Sequence, residues 1–177
     1  PNARTRIIKV LDFCKRYAKE FSINPRGLLF VGQPGVGKTH LALSIANEVI
    51  RKGYLVVYSS AHNIVSQIER GKFNGEMLEI EAQFTRCHLL ILDDLGGEFK
   101  SNFSNTVIYN ILDARAVSGL PVIITTNLTL SELKEVYPSR ILSRITGSNT
   151  QLKIFGNDIR QKLIKTEEKK NYCNFIQ

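Results

Sequence analysis

Eight consecutive residues, Gly32-Gln33-Pro34-Gly35-Val36-Gly37-Lys38-Thr39, match the pattern G-x-x-x-x-G-K-[ST] at every fixed position. Glycines let backbone N–H groups turn inward and approach phosphate oxygens with no Cβ in the way. A helix opening where the loop ends presents the positive end of its dipole to the same anion. Lys38 then bridges the β- and γ-phosphates of a nucleoside triphosphate as a mobile point charge, and the Thr39 hydroxyl ligates Mg²⁺. His40 is counted with this nucleotide-binding stretch; its own residue type reads as a packing or surface position at the start of the helix.

A second feature is acidic. His88-Leu89-Leu90-Ile91-Leu92-Asp93-Asp94 is an apolar run ending in adjacent carboxylates. Asp93 is placed to hold Mg²⁺, directly or through water. Strand alternation turns Asp94 to the opposite side, toward the γ-phosphate and its attacking water, which it would orient or deprotonate. The bland alternative is a pair of capping or turn acids before Gly96-Gly97. Glu98 is a weaker acidic candidate, expected at the surface or as a cap. Asn127 follows a further apolar run and can position the attacking water by hydrogen bonding; an ordinary turn asparagine is the alternative. Downstream, Arg140 and Arg144 stand four apart on one helix face, and Arg160 lies in Gly156-Asn157-Asp158-Ile159-Arg160. Guanidinium groups suit phosphate recognition and can stabilise charge that develops in phosphoryl transfer; solvated helix arginines are the alternative.

The elements that must hold these groups alternate. Helices are expected at about 4–21, 38–52, 60–70, 76–86 and 101–117, with two short ones across 129–145 broken near Pro138, and a last one at 158–165. Strands are expected at 28–31, 54–58, 88–92 and 120–125, with an edge strand at 151–155. Gly71 to Gly75 reads as a break and 166–177 as a polar tail. Strands alternating with helices at this spacing predict an α/β fold around a central parallel sheet. One ATPase domain over 1–165 is expected, with 1–24 as an N-terminal linker helix.

Composition agrees. The 177 residues are 43% hydrophobic and 23% charged, which excludes disorder, collagen and coiled coil. No apolar run is long enough to span a membrane, and no signal peptide is visible after Pro1-Asn2-Ala3-Arg4. The missing initiator Met suggests a piece of a longer protein. Cys14, Cys87 and Cys173 lack metal or redox spacing and read as reduced thiols of a cytoplasmic protein, and His62 and His88 have no metal-ligand company. Lys plus Arg exceeds Asp plus Glu by 24 to 16, a net +8 concentrated in residues 1–30 and 131–177. Such flanks suit either a polyanion partner or simple solubility. Phe99 and Phe103 beside Lys100 could stack single-stranded bases or just pack a loop.

With these residues in view, the sequence resembles an AAA+ ATPase, and more closely the DnaC/DnaI-type bacterial helicase loaders; the IstB-type insertion-sequence helper ATPases share the core. The likeness runs from about Asn2 to Arg160. It is carried by GQPGVGKTHLALSIANEV, LLILDDLGGE, GLPVIITTNLTLSEL, SRILSRI and FGNDIR. The resemblance implies a three-layer AAA+ sandwich with a reduced or absent lid. It implies Walker A roles for Lys38 and Thr39, Walker B roles for Asp93 and Asp94, and a sensor 1 role for Asn127. Arg144 matches the arginine finger that acts on a neighbouring subunit's ATP, with Arg140 as fallback, and Arg160 matches sensor 2. Most AAA+ proteins carry Glu where Asp94 stands; the shorter side chain implies slow turnover, suited to a switch. The implied function is an ATP-hydrolysing switch that loads a replicative DNA helicase, through a region missing here, with ATP-modulated single-stranded DNA binding and homo-oligomerisation in the ATP state. A transposition helper is the alternative, and a small-molecule kinase fits less well.

Overall fold

The computed structural model describes residues 3–22 and 26–156. The expected helix at 158–165, the tail at 166–177, Arg160 and Cys173 lie outside the described residues. Helix α1 (Ala3–Lys19) precedes strand β1 (Gly27–Val31), α2 (Lys38–Arg51), β2 (Val56–Ser60), α3 (Ala61–Asn74) and α4 (Met77–Arg86). Then come β3 (Leu89–Asp93), α5 (Asn102–Val117), β4 (Val122–Thr126), α6 (Leu130–Val136), α7 (Ser139–Gly147) and β5 (Asn149–Lys153). The five strands form one all-parallel sheet in the order β2-β3-β4-β1-β5.

The pleat divides the core. Leu28 and Phe30 of β1 with Leu89 and Ile91 of β3 turn toward α1 and α2, where Cys14, Ala42, Ile45 and Val49 are buried. Leu29, Leu90, Leu92 and Ile124 turn the other way, onto Ile64 and Ile68 of α3, Ile108 and Ile111 of α5 and Ile141 and Ile145 of α7. Strands β1, β3 and β4 are buried on both faces, which is why each carries an apolar run, ended by Asp93 in β3 and by Thr125-Thr126 in β4. At about 1.5–3 kcal/mol for each fully buried large apolar side chain, these two clusters dominate stability.

Several element boundaries differ from the sequence expectation, among them β5, at 149–153 rather than 151–155. β2 lies two residues later than expected, at 56–60 rather than 54–58. Tyr54 belongs instead to the turn, with its ring edge-on to Phe21 at 5.1 Å. The polar pair Ser59-Ser60 is strand because it pairs with Leu92 and Asp93, and the Ser60 hydroxyl then caps α3 by accepting from Asn63 N–H at 3.2 Å. Helix α3 continues through Gly71 to Asn74. Gly71 is a contact point for α4, not a breaker: a Cβ there would lie 2.5 Å from Ile80 Cδ1 and 3.3 Å from the Met77 backbone.

Candidate functional site

β1 delivers the chain to the glycine-rich loop, and α2 leaves it with Lys38 as its first residue. Gly37 carries φ 95°, a left-handed backbone that glycine adopts freely, and no side-chain hydrogen bond caps the helix start. The backbone N–H groups of the first turn are thus left without a side-chain acceptor. Lys38 is buried, and its ammonium donates to Gly32 O at 2.7 Å, Gln33 O at 2.8 Å and Asn127 Oδ1 at 2.6 Å.

Asp93 closes β3 beside that loop. Its Oδ1 accepts from the Thr39 hydroxyl at 2.8 Å and from the Thr125 hydroxyl at 2.6 Å. Its Oδ2 accepts from the Tyr58 hydroxyl at 2.8 Å. Burial, then the hydrogen bond to Asp93 and the charges of Asp93 and Asp94, push the Tyr58 phenol up to about 12, so it is a hydrogen donor over the neutral range.

Asp94 reaches the cavity by a different route from the one strand alternation predicts. It stands just past β3 with φ 52°, in the left-handed region. That conformation costs on the order of 1 kcal/mol for a residue other than glycine. It is over-determined locally: Asp94 N–H donates to the Thr125 hydroxyl at 3.0 Å, Gly97 N–H donates to Asp94 O at 3.0 Å, and Leu95 N–H donates to Thr125 O at 2.8 Å. Asp94 Oδ1 accepts from Asn127 Nδ2 at 2.8 Å. Asn127 therefore joins Lys38 to Asp94 through the two ends of one carboxamide.

These groups face one cavity of about 760 Å³, lined by Pro34, Gly35 and Gly37 to His40 on one wall and by Asp93, Asp94, Thr125 and Asn127 on the other. Gly32, Gln33 and Val36 line an adjoining cavity of about 370 Å³ shared with Asn127 and Lys153 to Gly156. A third, more apolar cavity of about 300 Å³ lies between α1 and the loop, with Ile7, Val10, Leu11, Val36 and Leu41 among its walls. The first suits a polyanion and the last an aromatic ring. Thr39 and Asp93 present hard oxygens of the kind Mg²⁺ takes. Among the described residues no cluster of three His, Cys, Asp or Glu forms a metal cage. Mg²⁺ bound partly by phosphate oxygens needs none, so the donor set fits that ion.

Glu98, expected at the surface or as a cap, is instead buried within the loop that follows the two acids. Its Oε2 accepts from Gly96 N–H at 2.9 Å, and its Oε1 accepts from the hydroxyl of buried Tyr137. It braces the loop after the two acids against the end of α6. Arg140 and Arg144 lie outside the loop cavity. Arg140 sits over the Tyr109 ring at 4.9 Å, and Arg144 pairs with Asp113 at 2.6 Å, so both meet α5 along one face. Phe99 is 88% exposed, and the Lys72 ammonium lies 5.8 Å from the Phe103 ring centroid. Cys14 and Cys87 are buried free thiols, and burial pushes Cys14 up to about 11. His88 Nδ1 accepts from Leu55 N–H at 2.8 Å.

Sequence reasoning missed Tyr58 and Thr125. The polar Thr125-Thr126 pair ending a buried strand was a readable signal for the second. Tyr58 becomes legible only through the parallel register that sets Ser60 opposite Asp93.

Comparison with known proteins places the chain. It is 27% identical over 163 residues to the replicative helicase loader DnaC of Escherichia coli strain K12, covering 91% of this chain and 66% of that protein. It is 29% identical over 151 residues to a protein of insertion sequence IS5376 from Geobacillus stearothermophilus, covering 81% of this chain and 60% of that protein. The crystal structure of the DnaC helicase loader superposes with a TM-score of 0.79 at 26% identity, over 85% of this chain and 90% of that one. The chain thus spans 66% of the length of the DnaC relative, and its fold is that of an AAA+ P-loop NTPase. The family model described as IstB-like ATP binding protein matches residues 2–167, and the chain belongs to that family.

Proposed function

We propose that this chain is the ATPase domain, over 1–165, of a cytoplasmic switch protein that binds and hydrolyses ATP and loads a replicative helicase onto DNA. The observation that carries the reading is the convergence of Lys38, Thr39, Asp93, Asp94 and Asn127 on one cavity. The triphosphate lies along the loop from Gly32 to Thr39, with Lys38 moving from its carbonyl and Asn127 partners onto the β- and γ-phosphates. The apolar cavity beside α1 takes the base. Thr39 and Asp93 hold Mg²⁺, which supplies charge neutralisation at the phosphates. Asp94 and Asn127, already joined at 2.8 Å, orient the attacking water. Asp94 is short and backbone-strained, which suits slow turnover.

Arg144 acts on the ATP of a second copy, with Arg140 as fallback and Arg160 sensing bound nucleotide in its own chain. Single-stranded DNA is read by the aromatic and basic surface that holds Phe99, Lys100, Lys72 and Phe103. ATP and DNA then change each other's affinity by the same factor.

The second reading is a transposition helper, favoured by the IstB-like family match and the insertion-sequence relative. The deciding experiment copurifies the full-length protein with a hexameric replicative helicase and, separately, with a transposase. Helicase capture with ATP-dependent delivery to single-stranded DNA supports loading; transposase capture alone moves the protein to the second reading. Transfer of phosphate to a small acceptor in place of water would make it a kinase and overturn both.

A further inference from the structure

Asp93 is only 8% exposed, and three hydroxyls hold it. Thr39 and Thr125 both donate to Oδ1, from α2 and β4; Tyr58 alone among these donates to Oδ2, from β2 at the edge of the sheet. The outer torsion of an aspartate is broad and roughly two-fold, so two bonds to one oxygen leave the other free to swing. A donor on Oδ2 removes that freedom. Tyr58 stands two residues before Ser60, which pairs with Asp93, so the pleat sets its side chain on the face of the sheet that carries Ile91 and α2. Its ring is 47% exposed and belongs to neither core cluster. The residue as a whole is thus only partly packed, while its hydroxyl makes a part-buried bond to Asp93.

We propose that Tyr58 is a positioning residue for the metal-holding carboxylate. Its hydroxyl pins Asp93 Oδ2 so that Oδ1, with the Thr39 oxygen beside it, faces the ion. The inference rests on the reading of this cavity as a Mg²⁺–nucleotide site, and it concerns the metal step rather than nucleotide capture. The loop that grips the phosphates makes no hydrogen bond to Tyr58 in this structure, whereas the acid does.

The test is Tyr58→Phe, which removes one oxygen from a half-exposed side chain. Binding of a fluorescent ADP analogue is titrated in EDTA and across Mg²⁺ concentrations, and Mn²⁺ binding to the nucleotide complex is read by electron paramagnetic resonance. The expected result is metal-free nucleotide affinity within about twofold of wild type, with the Mg²⁺ needed for half-saturation raised about tenfold, the scale of a lost hydrogen bond to a charged group. In an Asp93→Ala background the same change should do nothing further, because the partner is gone. A Mg²⁺ curve that overlays wild type, or an equal loss in EDTA and in Mg²⁺, overturns the role of Tyr58. If wild type itself gains no affinity from Mg²⁺, the metal-nucleotide reading falls and this inference falls with it.

Discussion

Asn127 donates to Asp94 Oδ1 at 2.8 Å while its own Oδ1 accepts from Lys38 at 2.6 Å. The amide is oriented by charge at both ends, nitrogen to carboxylate and oxygen to ammonium. Replacing it with Asp keeps the Lys38 contact and puts two carboxylates together. Asn127→Asp and Asn127→Ala should retain nucleotide within about tenfold yet lose about 10²-fold in kcat, the usual scale of a misplaced polar group. Equilibrium binding beside steady-state turnover checks this; unchanged kcat would return Asn127 to a turn.

Lys38→Ala should abolish nucleotide binding or hydrolysis, whereas Asp94→Asn should bind nucleotide and fail to turn it over. Asn tolerates the left-handed backbone at least as well as Asp, so the second variant should fold normally. Calorimetric binding with a phosphate-release assay separates the two.

Arg144 and Asp113 form a half-exposed pair, worth less than about 1 kcal/mol. Arg144→Ala should therefore leave the melting temperature within a few degrees, and any large loss of activity is not a folding effect. If Arg144 acts across an interface, mixing Arg144→Ala with Lys38→Ala protein should restore part of the turnover that each lacks. No restoration at any mixing ratio argues against action in trans.

Burial raises the Tyr17 and Tyr137 phenols above their ordinary pKa of about 10. The folded state keeps these protons where the unfolded chain releases them. Their stabilising contribution is complete below pH 10 and is lost as pH climbs beyond it. Melting temperature should begin to fall near pH 9, where the unfolded Cys14 thiol ionises while burial holds the folded one up to about 11, and fall more steeply above pH 10. Tyr17→Phe should make that fall shallower; an unchanged alkaline limb would show that Tyr17 titrates freely.

Arg115 is 1% exposed and donates to Phe84 O at 2.7 Å, Cys87 O at 3.0 Å and Pro121 O at 2.6 Å. Those carbonyls lie in α4, just before β3 and just before β4, and the two strands carry the site. Arg115→Met should cost about 3 kcal/mol or more, because Phe84 O and Cys87 O lose a charged donor and Pro121 O keeps only its longer bond from Leu90 N–H. Urea unfolding measures it.

If the Lys72, Phe99 and Phe103 surface binds single strands, affinity should fall steeply as salt rises. Lys72→Ala should flatten that slope, whereas Phe99→Ala should weaken binding at every salt concentration. Gel-shift titrations from 50 to 200 mM salt test both.

Much of this site was legible because its parts are local. The loop needs only its own glycines, lysine and threonine, and Asp93 needs only an apolar strand that ends in acid. Asn127 could be read because an amide at the end of β4 can reach between the two carboxylates and the phosphates, although a turn asparagine has the same local signature. Asp94 was found for its type, but its path was not, since a left-handed turn held by Thr125 leaves no trace in alternation. Tyr58 and Thr125 were missed because their partner lies more than 30 residues away and is set by sheet register. The same cause displaced β2: Tyr54 looked like strand, yet its ring belongs against Phe21. The buried role of Glu98 has no local signal, because nothing near it in sequence announces Tyr137 as its donor.

Strand β4 runs between β1 and β3, pairing Leu29 with Ile124 on one side and Leu92 with Ile124 on the other. Its threonines divide the labour by face, Thr125 donating to Asp93 and Thr126 to Leu95 O. Sliding this strand by a single position would exchange the two faces. The aspartate would then meet the wrong hydroxyl, and Asn127 would be carried out of reach of both its charged neighbours. An insertion or deletion of one residue within 122–126 should accordingly silence the protein more completely than the loss of any single side chain there, even if the sheet still assembles.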